Sequence, residues 1–141
     1  MKSFFSAIVF FLLMSCSGNS VDDKNCRILL DIDFNHTENL NLHPLNGLFP
    51  GSAVTINVPN TRGVIIANTA GRYVAFDAAD PNHTFNTCSV LTVDYPIGTC
   101  GCEDGNEFSL LDGAPIGNED TLCPLKIYRV EVSGNLLQIF N

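Results

Sequence analysis

The sequence predicts an all-β fold, and three observations carry the prediction. Apolar residues recur with a period of two in short runs, and clusters of Asn, Gly and Pro separate those runs. No window of about eleven residues combines helical periodicity with end caps.

Ile28, Leu30, Ile32 and Phe34 interleave with Leu29, Asp31 and Asp33, the pattern of a half-buried strand. Asn35 to Asn46 then reads as a polar loop that turns Leu40, Leu42 and Leu45 inward. His36 and His43 in that loop are expected at the surface, because no Cys or carboxylate accompanies them at ligand spacing. Val54, Ile56 and Val58, then Val64-Ile65-Ile66, then Tyr73-Val74-Ala75-Phe76 predict short strands divided by Pro59-Asn60-Thr61-Arg62-Gly63 and Asn68-Thr69-Ala70-Gly71. Those clusters supply the fixed or positive φ angles of tight turns. Val90 to Val93, Glu107 to Leu110, Ile127 to Val132 and Leu136 to Phe140 complete the series, the last pair joined by the hairpin signal Ser133-Gly134-Asn135. A sandwich or small barrel of antiparallel sheets follows.

The N-terminus is of another kind. Met1-Lys2-Ser3 leads into an apolar run from Phe4 to Met14, shorter than the roughly 20 residues that span a bilayer and suited to a secretory signal. Leu13-Met14-Ser15-Cys16 resembles a bacterial lipobox, which implies a signal peptide over residues 1–15 and acylation of Cys16. Residues 16–24 are small, polar and acidic, a lipidated Cys and flexible tether before a domain over residues 25–141. The expected location is the bacterial cell envelope, on the outer membrane facing the periplasm or the surface. The lipid provides the membrane contact, and an envelope protein is the expected partner.

Fifteen acidic against seven basic residues give a net charge of −8, which excludes nucleic acid and anionic lipid surfaces as electrostatic partners. Asn35-His36-Thr37 and Asn82-His83-Thr84 match the N-glycosylation pattern, an accidental match in a bacterial lipoprotein. No Ser-His-acid or Cys-His nucleophile signature, Gly-rich phosphate loop or His-Glu-x-x-His zinc motif is present, so no catalytic residue is assigned.

The chemistry-bearing residues gather in two segments, Asp80-Pro81-Asn82-His83 and Cys100-Gly101-Cys102-Glu103-Asp104-Gly105. With Glu107 to Gly113 and Pro124-Leu125-x-x-Tyr128-x-Val130 after them, they resemble a Rieske iron–sulfur domain over about half the chain. The family's ligand signature is Cys-x-His, then Cys-x-x-His; here Asp80-x-Asn82 and Cys100-x-x-Glu103 stand in register. Pro-Asn-His in the first loop and Cys-Glu-Asp in the second also resemble a lipoprotein subgroup of Bacteroidetes-type bacteria. The resemblance implies a Rieske-like fold with two ligand-type loops joined by a disulfide. It also implies that any activity would be electron transfer.

A Rieske [2Fe–2S] centre needs two thiolates and two imidazoles. Asp80, Asn82, Cys100 and Glu103 offer one thiolate, an amide and two carboxylates, with His83 a substitute one residue out of place. The expectation is therefore no metal and no cofactor, in a binding or structural module; the alternative is a [2Fe–2S] electron carrier with unconventional ligation. Donor type alone would also let Asp80, His83, Cys100 and Glu103 suit zinc or non-haem iron.

Six cysteines, with Cys16 acylated, leave five in the domain and fifteen ways to form two disulfides. The resemblance implies Cys88–Cys102 as the bond between the ligand loops, and it brings Cys123 to Cys100, implying a Cys100–Cys123 bond across the ligand site. Cys26–Cys123 with Cys100 free competes with the second pairing and would keep a thiolate for metal.

Overall fold

The computed structural model describes Cys26 and residues 33–117 and 122–141. The signal peptide, Cys16, the tether and Ile28 to Ile32 of the first expected strand lie outside the described residues.

Among the described residues, ten strands form two antiparallel sheets. The larger has six strands in the order β1 (Asn35–Asn39), β10 (Leu136–Phe140), β9 (Ile127–Ser133), β4 (Arg72–Asp77), β3 (Val64–Thr69) and β2 (Ser52–Ile56). The smaller runs β5 (Leu91–Asp94), β6 (Ile97–Cys100), β7 (Glu107–Ser109) and β8 (Pro115–Ile116). Among the described residues, helix is confined to two three-residue turns, Leu45–Gly47 and Thr87–Ser89.

Strand β3 explains how the sheets stack. Its run of apolar side chains is buried on both faces, as a continuous rather than alternating hydrophobic segment requires. Val64 and Ile66 join Leu45, Leu48, Ile56, Val58, Ala75, Tyr128, Leu137 and Ile139 in one core. Ile65 and Ala67 face the other way, onto Phe76, Leu91, Phe108, Leu110 and Leu125 at the junction with the smaller sheet. Each fully buried Val, Ile, Leu or Phe side chain contributes about 1.5–3 kcal/mol of transfer free energy. Gly113 permits the close approach at this junction: its φ is +80° and a Cβ there would lie 2.9 Å from Phe76 Cε1.

Three strands depart from the sequence expectation. Asn35–Asn39, expected as loop, is β1 and pairs along its whole length with β10, from Asn35 opposite Phe140 to Asn39 opposite Leu136. Polar residues serve there because it is an edge strand whose order comes from its neighbour's backbone rather than from its own burial. His36 is accordingly a strand residue, its Nε2 2.7 Å from Glu38 Oε1. Strands β6 and β8 are short pieces, each set by pairing: β6 with β5 across a Tyr95-Pro96 turn, and β8 with β7. Strand β2 runs over Ser52–Ile56, so Val58 packs into the core beyond its end.

Candidate functional site

Strand β4 delivers the first loop, residues 78–90, and strands β6 and β7 bracket the second, residues 101–106. The first loop is closed at its base by an Ala79–Val90 bridge and by Asp80 N–H donating to Ser89 O at 2.8 Å. Asn86 caps the Thr87–Ser89 turn, its Oδ1 accepting from the backbone N–H of Cys88 at 2.8 Å and of Ser89 at 3.2 Å. Cys88 is thereby held against the second loop, where Gly101 N–H donates to Cys88 O at 2.9 Å. A Cβ on Gly101 would sit 3.1 Å from that oxygen, so a glycine between the two cysteines lets the backbones meet. Cys88–Cys102 bonds the loops together, with a Cα–Cα distance of 4.8 Å.

Asp80 is the centre of the site and is wholly buried. Its Oδ1 accepts from the backbone N–H and from Nδ2 of Asn82, both at 2.8 Å. Its Oδ2 accepts from Asn106 Nδ2 at 2.9 Å, across from the second loop. The carboxylate thus fastens both loops through ordinary hydrogen bonds, which are costly to leave unmade at a buried site. Asn82 carries the fastening to a third segment: its Oδ1 accepts from Cys123 N–H at 2.7 Å and its Nδ2 reaches Cys123 O at 3.2 Å.

His83 turns into the site in place of Asn82. Its Nε2 lies 2.8 Å from Asp104 Oδ2 and 3.6 Å from Asp80 Oδ2. The second loop shows the same one-residue offset. Glu103 is exposed, whereas Asp104 reaches His83 and also accepts from Asn106 Nδ2 at 2.9 Å. Asp104 and Asn106 are the residues that sequence reasoning did not place; both depend on the turn at Gly105, whose φ of +58° redirects the chain.

The expected Cys100–Cys123 bond is absent: Cys123 pairs with Cys26 and Cys100 is a free thiol. The reason lies in where each side chain is held. Cys100, on β6, packs into the junction core with Leu91, Phe108 and Leu110, and its Sγ–H reaches Cys88 O at 3.6 Å. Cys123 is fixed by the Asn82 amide, which bonds both its N–H and its C=O. Burial pushes the Cys100 thiol up from its ordinary pKa, and a hydrogen bond to Asp80 and the charges of Asp80 and Asp104 add to this against the lowering effect of the Cys102 backbone.

The four positions that carry ligands in the resemblance thus hold a buried, hydrogen-bonded carboxylate, a backbone-binding amide, a thiol and an exposed carboxylate. That is not the donor set of a Rieske cluster.

No family model matches the chain, and no curated protein matches it. Solved structures do. A chain of the complex of reduced oxygenase and oxidized ferredoxin in carbazole 1,9a-dioxygenase is 18% identical with a TM-score of 0.51, over 67% of this chain and 85% of that one. The Sphingomonas yanoikuyae B1 ferredoxin is 18% identical with a TM-score of 0.50, over 68% of this chain and 91% of its own. The fold is Rieske-like. In this Rieske-like domain a disulfide joins the two loops.

Proposed function

We propose that this chain is an envelope lipoprotein whose Rieske-like domain has lost its [2Fe–2S] cluster and acts as a binding or structural module. One observation carries the reading: Asp80, at the position of the first thiolate ligand, is wholly buried and spends both oxygens on bonds that hold the loops together. A cluster ligand must leave its donor atoms to iron. Asn82 is committed in the same way to the Cys123 backbone, and Glu103 faces solvent. The site keeps two apposed loops and the disulfide between them, and a polar network stands in place of ligation.

The envelope placement rests on the lipobox-like Leu13-Met14-Ser15-Cys16 and the acidic spacer after it. Anchored there without redox chemistry, the domain serves through its surface, with an envelope protein as partner.

Protein purified from iron-replete cells tests the reading. A colourless preparation without acid-labile sulfide, together with fatty acid on Cys16, is the expected result. Visible absorption bands with an EPR signal on reduction would establish the electron-carrier alternative, and a soluble, unacylated mature protein would remove the envelope anchor.

A further inference from the structure

We propose that Cys100, with His83 as its base, drives a thiol–disulfide exchange in which the Cys88–Cys102 bond becomes Cys100–Cys102 and the released Cys88 thiolate reacts with the disulfide of another protein. This rests on the reading that Cys100 holds no iron, and it gives the loop end an activity beyond that of a structural module.

The reacting groups already meet. Cys100 is a free thiol, and Cys102 is one half of the bond to Cys88. Their sulfurs and a ring nitrogen of His83 lie within 4.8 Å of one another. A bonded sulfur is the electrophile that a thiolate attacks, so a free and a bonded cysteine side by side suit exchange where they would not suit ligation. Backbone contacts hold the pair in place. Cys100 N–H donates to Asn106 O at 2.8 Å, Gly101 N–H donates to Cys88 O at 2.9 Å, and the Cys100 thiol lies 3.6 Å from the same oxygen. The fold thus makes the attack unimolecular. Gly101 carries no Cβ, which leaves the backbone between the two cysteines free to close a small ring.

Burial foremost, and then the carboxylates of Asp80 and Asp104, disfavour the Cys100 thiolate, so the step requires a base beside it. His83 is that base. Its Nε2 lies 2.8 Å from Asp104 Oδ2 and 3.6 Å from Asp80 Oδ2, and these carboxylates stabilise the imidazolium that forms when the ring takes the thiol proton. Nucleophile, base and orienting acid are the parts of an activated thiol.

The Cys100 thiolate forms a bond to Cys102 Sγ, the Cys102–Cys88 bond breaks, and the electron pair leaves on Cys88 Sγ. One disulfide stands before and after, so no oxidant or reductant is consumed. The charge passes from a buried sulfur to a half-buried one that water reaches, the direction in which a thiolate is the better leaving group. The Cys88 thiolate then attacks the substrate disulfide. One substrate sulfur joins Cys88, and the other leaves as a thiolate that takes the proton from His83.

The test adds oxidised glutathione, as the probe disulfide, to the purified full chain isolated without reductant, and reads the product by non-reducing peptide mapping. The expected product carries glutathione on Cys88 and a Cys100–Cys102 disulfide. Cys100→Ser should abolish that adduct while Cys88–Cys102 stays closed, and His83→Ala should slow its formation by about a hundredfold, the lower end of what a positioned base contributes. Glutathione on Cys100, no adduct in the wild-type protein, or an unchanged rate in His83→Ala would overturn the proposal. Iron and sulfide assays on the same sample separate the two readings. Their presence would count against loss of the cluster, whereas an iron-free sample that forms no adduct on Cys88 would count against the exchange alone.

Discussion

The larger sheet and the loop end of this molecule are held together by different means. In the sheet, Val64, Ile66, Leu137, Ile139 and Tyr128 bury apolar surface in one continuous core, and the order of the strands follows from their pairing. At the loop end, the junction core of Phe76, Leu91 and Phe108 supports a layer of polar residues. There Asp80, Asn82, Asn106 and two disulfides supply the fastening that packing does not. Non-directional packing tolerates substitution of like for like, whereas a hydrogen-bonded carboxylate and a covalent bond each depend on one residue. The comparison implies that the two regions should fail separately and under different treatments.

Opening the disulfides should produce the largest separation. Replacing Cys26 and Cys123 by alanine removes a bond that spans 97 positions, an expected loss of about 4–5 kcal/mol in the chain-entropy account. Replacing Cys88 and Cys102 removes one that spans 14, an expected loss of about 3 kcal/mol. Denaturant melts measure both, and hydrogen exchange locates them: protection should fall over residues 80–106 in the second variant while β3 and β10 keep theirs. Equal loss in both regions would break the comparison.

Ile66→Ala, in the sheet core, should cost about 3 kcal/mol by leaving a cavity, and it should do so equally in oxidised and reduced protein. Asp80→Asn should cost about 1–3 kcal/mol, because the new amide cannot accept from every donor that the carboxylate satisfies. Its signature is regional: the Cys123 loop or the second loop should loosen, since the amide keeps one accepting oxygen where the carboxylate offers one to Asn82 and one to Asn106.

The smallest effect concerns pH. The Cys100 thiol is raised in the folded state, so the unfolded chain loses its thiol proton first as pH rises. The contribution of this thiol to stability is whole below the ordinary thiol value of about 8.5 and declines above it. Cys100→Ser should flatten that decline, and thermal melts of the two proteins across the alkaline range check it.

The same contrast governs what could be read from the sequence. Strands β3 and β4 and the β9–β10 hairpin were legible because their apolar runs and the Gly134-Asn135 turn are local signals. Strand β1 was not: Asn35-His36-Thr37-Glu38-Asn39 carries no apolar residue and is a strand only because β10 lies beside it. At the site, Asp80 and Cys100 were legible through a resemblance. The exchange of Glu103 for Asp104 was hidden in the turn at Gly105, and Asn106 gives no local sign that it bonds a carboxylate 26 positions away. The fate of Cys100 depended on a pairing of Cys26 with Cys123, which no spacing rule selects.

The central claim is that hydrogen bonds to Asp80 stand where a cluster would join the loops, and native mass spectrometry of the protein isolated without reductant from iron-replete cells tests it most directly. The expected result is an acylated chain lighter by four hydrogens than its fully reduced form, two for each disulfide, with no iron or sulfide. A mass carrying two irons and two sulfides, the composition of a Rieske centre, would contradict it.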